Sequence, residues 1–204
     1  MVGTHEKERK QCMEEQGIFI ERILSNENMN RAYKQVKKNK GAAGIDGMEC
    51  NDLLSHLKVN GHQLRESIRN QSYKPMPVKR VEIPKADGSK RKLGIPTGTD
   101  RMVQQAAAQV LTPIYERKFH ENSYGFRPGK SAQKAVLKAV EYMNEGYNWV
   151  VDIDLEKFFD TVEHDKLISV LNKEIKDGKI LSLIRKFLVS GVMVGEQIEE
   201  TEIG

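Results

Sequence analysis

The run from Trp149 to Asp160 constrains the fold of this chain more than any other stretch. Its first three residues, 149–151, are apolar and include two β-branched valines, which is typical of a buried strand. Asp152 and Asp154 follow at alternate positions, so on a strand both side chains lie on one face. Two carboxylates at the end of a strand need a positive partner, and Mg²⁺ is usually held by one or two carboxylates together with phosphates. The spacing therefore predicts a strand that takes part in phosphate chemistry.

The residues after Asp154 distinguish two families that have such a strand. Haloacid-dehalogenase-like phosphatases have Thr or Val two residues after the second aspartate, where this chain has Glu156. In the palm of reverse transcriptases, an aromatic residue lies five positions after a metal-binding aspartate, as Phe159 does here. The run resembles the first carboxylate motif of bacterial group II intron reverse transcriptases, which are also called intron-encoded maturases. The phosphatase interpretation is kept as the less favoured alternative.

Composition is that of a globular protein. The chain has 204 residues and 38% hydrophobic content, which is enough for one domain or two small ones. No stretch approaches the roughly 18 consecutive apolar residues of a membrane span, so we expect a cytoplasmic protein without a membrane partner. Cys12, Cys50 and the histidines lack the spacing of zinc ligands, which makes a disulfide scaffold or a zinc site improbable.

Positive charge is unevenly distributed along the chain, although the net charge is only +4. The segment from Arg65 to Lys92 holds nine basic and three acidic residues, and a second run, Arg31 to Lys40, holds five basic residues and no acid. Such runs form either a solvated face or a surface for a phosphate backbone. The candidate RNA-binding residues are Lys34, Lys37, Lys38, Lys40, Arg69, Lys74, Lys79, Arg80, Arg127 and Lys130.

A glycine-punctuated loop occupies Asn39–Gly47, in the sequence Asn-Lys-Gly-Ala-Ala-Gly-Ile-Asp-Gly. It departs from the Walker pattern because Met48 follows Gly47 where a lysine is required, so a nucleoside-triphosphatase loop is improbable. The loop resembles the N-terminal extension loop of group II intron reverse transcriptases.

A β-hairpin is predicted over residues 78–95, because charged and apolar residues alternate on both sides of the turn Pro-Lys-Ala-Asp-Gly-Ser. A plain surface hairpin with solubilising lysines is one interpretation. The segment also resembles the fingers hairpin of the same polymerases, and the resemblance implies that Lys85 and Arg91 bind the triphosphate of the incoming nucleotide.

Another motif, Ser-Tyr-Gly-Phe-Arg-Pro-Gly-Lys-Ser, covers residues 123–131 and resembles a motif of the intron-type enzymes. Arg127 and Lys130 lie just before a predicted helix, where a helix N-terminus suits phosphate. Arg127 has a second interpretation, in which it braces the turn by donating to backbone carbonyls.

Capping residues and apolar periodicity predict the helices. They are expected from Asn28 to Lys38, from Asn51 or Asp52 with a break at Asn60-Gly61, from Leu64 to about Arg69, from Asp100 to Pro113, from Ser131 to about Asn144, from His164, and from about Lys179 to Ser190. The helix after Ser131 is expected to bury Ala135, Val136, Ala139, Val140 and Met143.

Taken together, the motifs predict an α+β chain with right-hand polymerase-like fingers and a partial palm. We divide it into an N-terminal helical segment (1–27), an N-terminal extension with the glycine-rich loop (28–72), fingers (73–145) and the first part of a palm (146–204). The family's paired-aspartate motif, Tyr-x-Asp-Asp, does not occur in the sequence, so we expect a fragment that lacks half of the active site.

The resemblance implies RNA-directed DNA synthesis by the full-length protein, together with binding of intron RNA that assists splicing and mobility. Its implied site consists of Asp154 and a second candidate, Asp152, as Mg²⁺ ligands, with Phe159 beneath the sugar of the nucleotide. The implied partners are group II intron RNA, an RNA template with a DNA primer, and deoxynucleoside triphosphates, and a homo-oligomer is left open. A non-catalytic RNA-binding module is the alternative from a different functional class, and the fragment alone is expected to bind RNA without making DNA.

Overall fold

The computed structural model describes residues 17–86 and 88–204. Cys12 and most of the predicted N-terminal segment lie outside the described residues. The described residues form two compact units: one comprises those up to Val110 together with Phe158–Gly204, and the other is Leu111–Lys157. None of the described helices is both long and apolar enough to cross a membrane.

Seven α-helices and four short strands are found among the described residues, in a helix-rich α+β arrangement. In chain order they are α1 (Ile18–Leu24), α2 (Asn26–Asn39), α3 (Leu53–Arg69), β1 (Val78–Pro84), β2 (Lys90–Ile95), α4 (Gly98–Glu116), α5 (Ala132–Asn144), α6 (His164–Ile175), α7 (Gly178–Leu188), β3 (Val192–Val194) and β4 (Gln197–Glu199). A short 3₁₀ turn at Phe158–Thr161 precedes α6.

The four strands form one small mixed sheet in the order β2-β1-β3-β4. β1 pairs antiparallel with β2, which confirms the predicted hairpin, and β1 pairs in parallel with β3. The amide of Val78 also donates to the carbonyl of Gly191 at 3.0 Å, so the start of β1 is held next to the turn that follows α7.

The core of the first unit lies where α1, α2, α3, α4 and α7 contribute apolar side chains. Its largest fully buried apolar residues are Ile20, Ile23, Leu53, Met102, Val103 and Ile180. In α2, Met29, Ala32 and Val36 recur at helical spacing and are buried, which leaves the opposite face of that helix to solvent.

Two predicted helix boundaries are wrong. No break occurs at Asn60-Gly61, because α3 continues from Leu53 to Arg69. A helical glycine costs only about 1 kcal/mol relative to alanine, which packing against the core offsets. Pro113 does not end α4, because the helix completes a further turn to Glu116. The proline removes one backbone hydrogen bond, and the other bonds of the helix are kept.

Two capping assignments are also wrong. Ser25, not Asn28, caps α2 by accepting from the amide of residue 28 at 3.3 Å. Asn28 is instead buried, and its side-chain amide donates to the carbonyl oxygens of Ile23 and Ala106 at 3.0 and 2.9 Å. It therefore joins the first two helices to α4. Asp100 lies inside α4, and Thr97 before it accepts from the Asp100 amide at 3.1 Å.

The predicted palm strand over residues 149–154 is not formed. Trp149, Val150, Val151 and Ile153 lie in irregular backbone and are exposed by 82% or more. A strand needs a neighbour to receive its backbone hydrogen bonds. The described strands pair only with one another, so strand propensity alone does not produce a strand here.

The apolar stripe of α5 is likewise not buried, although Ser131 caps the helix as predicted, with the Lys134 amide 3.3 Å from its hydroxyl. Val136, Val140 and Met143 are exposed by 62%, 46% and 66%. An amphipathic stripe is buried only when another apolar surface covers it, and the described residues provide none over these side chains.

Candidate nucleotide site and nucleic-acid interface

The turn end of the β1–β2 hairpin brings the two predicted triphosphate-binding residues to one side. In the antiparallel register, Arg91 lies directly opposite Ile83. Lys85 follows Ile83 by two residues, and its amide donates to the carbonyl of Ser89 at 2.7 Å, so strand-like alternation continues to this position. Two cationic side chains therefore lie as diagonal neighbours on the same side of the hairpin.

On the opposite side of the hairpin, one carboxylate lies among basic residues and pairs with one of them. Glu82 lies across from Lys92, and it accepts from Lys90 Nζ at 2.8 Å. The ammonium of Lys90 lowers the pKa of Glu82, while Glu82 raises the pKa of Lys90. Glu82 therefore compensates the charge of Lys90 on this side, whereas Lys85 and Arg91 lie on the other side of the hairpin.

A buried polar cluster around Asp100 holds the base of the hairpin. The carboxylate accepts from the Tyr73 hydroxyl, from the Met76 amide at 3.2 Å and from Thr97 Oγ1 at 2.6 Å. Asp100 and Thr97 are 1% and 2% exposed. Burial, followed by the charge of Asp100, raises the pKa of Tyr73. Because Met76 precedes β1 and Thr97 follows β2, one carboxylate fixes both ends of the hairpin.

The sequence interpretation missed this cluster, having taken Asp100 for a helix cap. The signal that could have revealed it is the spacing Thr97-x-x-Asp100, a capping-box pattern in which each residue bonds the other. Nothing in the local sequence indicates that Tyr73, 27 positions earlier, completes the set.

The glycine-rich loop packs its backbone against the segment that starts α4. A Cβ on Gly44 would lie 2.7 Å from the backbone of Thr97, and a Cβ on Gly41 would collide with the guanidinium of Arg101. Arg101 in turn donates to the carbonyl of Ala42 at 2.7 Å. Gly47 has φ of +66°, which favours glycine. These contacts account for the glycines through close packing rather than through a phosphate cradle.

The exposed face of α2 carries a stripe of basic residues. Lys34 and Lys38 are one helical turn apart, and Arg31 precedes Lys34 by three residues, so all three lie opposite the buried face. Lys37 and Lys40 are also exposed. We call Arg31, Lys34, Lys37, Lys38 and Lys40 the α2 basic face.

The basic residues between α3 and the hairpin are less uniform. Arg69 donates to Glu21 at 2.7 Å and also pairs with Glu66, and its hydrogen bond lowers the pKa of Glu21. Lys74 and Lys79 are exposed, and Arg80 is half-buried on β1. Arg69 therefore contributes less net positive charge to this surface than its place in the sequence suggests.

In the second unit, Arg127 is enclosed by acceptors. Its guanidinium donates to Glu116 Oε1 at 2.7 Å and to the carbonyl oxygens of His120 and Ser123 at 2.6 and 2.9 Å, and its side chain is 9% exposed. This geometry favours the bracing interpretation of Arg127 over a phosphate contact. Lys130 is half-buried: its Nζ donates to the carbonyl of Glu121 and lies 4.8 Å from the centre of the Tyr124 ring.

The carboxylates predicted to bind a metal are in the irregular segment of the second unit. Asp152 and Asp154 are exposed, and no three acidic, histidine or cysteine side chains come together as a metal site anywhere in residues 17–86 or 88–204. Carboxylate oxygen is the donor that Mg²⁺ prefers, but the number of donors is insufficient for a closed site. Phe159, in the first unit, is 79% exposed and its ring packs at 5.4 Å against that of Phe158.

Comparisons with known proteins give a consistent result. A model of the family described as reverse transcriptase (RNA-dependent DNA polymerase) matches residues 83–203. The chain is 35% identical over 175 residues to protein YkfC of Escherichia coli, covering 83% of this chain and 46% of YkfC. It is 37% identical over 175 residues to the group II intron-encoded protein LtrA of Lactococcus lactis, covering 85% of this chain and 29% of LtrA.

A solved structure described as a Cas6-RT-Cas1–Cas2 complex is also similar, with a TM-score of 0.59 at 24% identity. The match covers 91% of this chain and 19% of that one, and it supports the fold. The chain thus spans less than half the length of the curated relatives described above.

Proposed function

Because the chain belongs to the reverse transcriptase (RNA-dependent DNA polymerase) family, we propose that it forms the fingers (73–145) and the start of the palm (146–204) of a group II intron-encoded reverse transcriptase. The full-length protein would copy an RNA template onto a DNA primer and would bind intron RNA to assist splicing and mobility. Relatives named group II intron-encoded protein and nuclear intron maturase support this assignment. The proposed compartment is the bacterial cytoplasm, and the phosphatase alternative is set aside.

The observation that carries the proposal is the anchored hairpin with Lys85 and Arg91 on one side of its turn. Two cations can bind the oxygens of a triphosphate by charge-assisted hydrogen bonds, and such bonds depend on a fixed position of the donors. The Asp100 cluster supplies that fixed position, because it holds the residues before β1 and after β2 on the same carboxylate. We therefore assign the incoming deoxynucleoside triphosphate to this side of the hairpin.

Asp154 is proposed as one Mg²⁺ ligand, Asp152 as a second candidate and Phe159 as the ring beneath the sugar. The incomplete donor set supports the further proposal that these 204 residues alone do not extend a primer. The same observation favours a second candidate function, a non-catalytic RNA-binding module. The two functions share their proposed RNA-binding residues, which are the α2 basic face, Lys74, Lys79 and Arg80 in the first unit and Lys130 in the second.

Filter binding of the 204-residue chain to structured group II intron RNA tests the RNA-binding part of this proposal. Neutralising phosphates releases counterions, so affinity should fall steeply between 50 and 200 mM salt, by roughly a factor of ten for every two or so phosphates contacted. Binding that does not respond to salt would contradict the assignment of RNA to these surfaces.

A charge-matched pair of variants locates the surface. Replacing Lys34, Lys37 and Lys38 by Gln should reduce the salt slope by about one for each phosphate that is no longer neutralised. Replacing Lys166, Lys173 and Lys176, which are exposed on and after α6, removes the same charge elsewhere and should leave the slope unchanged. Equal effects of the two triple variants would mean that only net charge matters. Primer extension with Mg²⁺, run in parallel, should yield no product, and robust extension would refute the incomplete-site argument.

A further inference from the structure

A cleft between α2 and α3 is separate from the hairpin and from the carboxylate segment. Its volume is about 360 Å³, which is the size of a small-ligand site. Its walls are mainly apolar, from Met29, Leu54, Leu57, Leu64 and Met102. Its polar lining includes Asn30, Lys58, His62 and Arg65, and no acidic residue is among the described side chains that line it.

Tyr33 lines this cleft with a hydroxyl group that has no partner. The oxygen is buried, yet it forms no hydrogen bond with any part of the described chain. A buried hydroxyl without a partner is unfavourable and uncommon in native proteins. The aromatic ring offers a flat surface to a ligand, and the buried hydroxyl lacks the partner that a polar group entering beside the ring would supply.

Gly61 lines the same cleft from the middle of α3. Glycine is the least favourable helix residue after proline, and a Cβ at this position would meet nothing within 4 Å. Packing and backbone conformation therefore do not explain the glycine. Its missing side chain does keep the cleft open.

We propose that this cleft binds one unstacked nucleotide of an RNA strand, with the base against Tyr33 and the phosphate near Lys58 and Arg65. Bases stack on aromatic rings and can be hydrogen-bonded on their exposed edges once they leave a helix. No acidic side chain lines the described cleft, so none of its lining residues repels a phosphate. The inference rests on the proposed binding of RNA, and it adds a site for single-stranded RNA to the salt-dependent basic surfaces.

Filling the cleft is the test. Gly61→Leu places a side chain in the open space, and it should weaken binding of a short single-stranded RNA on the order of 10-fold. Val59→Leu is the matched control, because Val59 is on the same helix, is 81% exposed and does not line the cleft. Tyr33→Phe should weaken binding several-fold through loss of one hydrogen bond, without changing the volume. Circular dichroism verifies that each variant is folded, and Gly61→Ala provides a smaller change that favours the helix.

Duplex RNA of equal length distinguishes the site from general electrostatics, since a paired nucleotide cannot enter the cleft. Gly61→Leu should leave duplex binding equal to that of Val59→Leu. Direct titration of the chain with adenosine 5′-monophosphate identifies the source of the nucleotide. Binding of the free nucleotide that Gly61→Leu abolishes, with single-strand affinity unchanged, would assign the cleft to a free nucleotide instead and overturn the strand proposal.

Equal single-strand affinity and equal binding of the free nucleotide in Gly61→Leu and Val59→Leu would overturn the cleft as a nucleotide site. In that case the unmodified chain would still show salt-dependent RNA binding if the proposed function is right. Loss of salt-dependent binding in the unmodified chain itself would instead contradict the proposed function.

Discussion

The hydroxyl of Tyr73 donates a hydrogen bond to the buried carboxylate of Asp100, 27 residues further along the chain. This bond connects the segment before the hairpin to the first turn of α4. The same carboxylate accepts from the Met76 amide and the Thr97 hydroxyl. The cluster therefore fixes the residues just before β1 and just after β2. Its contribution to stability can be measured separately from any nucleotide chemistry.

Tyr73→Phe should lower the free energy of unfolding by about 1.5–3 kcal/mol, because it removes a hydrogen bond to a charged group while keeping the ring. The measurement is urea denaturation followed by circular dichroism. Tyr33→Phe is the matched control, since its hydroxyl has no hydrogen-bond partner in the described structure and its loss should cost little or even stabilise. An equal decrease in the free energy of unfolding in both variants would show that the hydrogen bond to Asp100 does not stabilise the fold.

Stability should also decrease with pH above about 10, where unfolded tyrosine ionises. Burial and Asp100 raise the pKa of Tyr73, so the folded chain keeps a proton that the unfolded chain releases. The stabilisation is therefore fully present below pH 10 and is lost as pH rises, by up to about 1.4 kcal/mol per pH unit from this one group. Comparing the pH dependence of the parent and Tyr73→Phe isolates the contribution, and identical slopes would exclude it.

Lys85→Ala and Arg91→Ala should each weaken use of the incoming nucleotide by the full-length enzyme by roughly 10- to 150-fold, the value of a charge-assisted hydrogen bond. The measurement is kcat/KM for deoxynucleoside triphosphate in primer extension. Lys92→Ala removes an equal charge from the opposite side of β2, next to Glu82, and should have a small effect. If Lys92→Ala matches the other two, the hairpin acts only through its total charge.

Asp154→Asn should abolish primer extension by the proposed full-length enzyme while RNA affinity stays nearly unchanged, because the substitution removes the proposed metal ligand and no proposed phosphate contact. In the 204-residue chain its effect on stability should be within about 0.5 kcal/mol, since the side chain is exposed. Asp152→Asn should be milder. An Asp154→Asn enzyme that still extends primers would remove Asp154 from the site.

Elements with a local cause could be predicted from the sequence. The alternation of residues 78–95 specified the hairpin, and Ser131 specified the start of α5, because a turn and a cap are short-range interactions. Whether an apolar run is covered depends on what lies opposite it. The β-branched residues 149–151 therefore have high strand propensity without being in a strand.

The same distinction between local and long-range interactions applies to the candidate site. The placement of Lys85 and Arg91 on one side follows from strand alternation and could be predicted. The anchoring by Tyr73 and Asp100 could not, because it joins distant residues through a side-chain hydrogen bond that leaves no periodic pattern. Arg127 had two interpretations, and the positions of Glu116 and of the carbonyl groups of His120 and Ser123 distinguish them.

The exposed run at residues 149–153 also provides a spectroscopic probe. Trp149 is the single tryptophan of the chain, and it is 96% exposed. Its emission wavelength should already be close to that of tryptophan in water. Unfolding of the core should therefore change the tryptophan emission very little. Any polypeptide or nucleic acid that covers this run would shift the emission to shorter wavelength. One native residue, without a label, therefore reports on any molecule that covers this run.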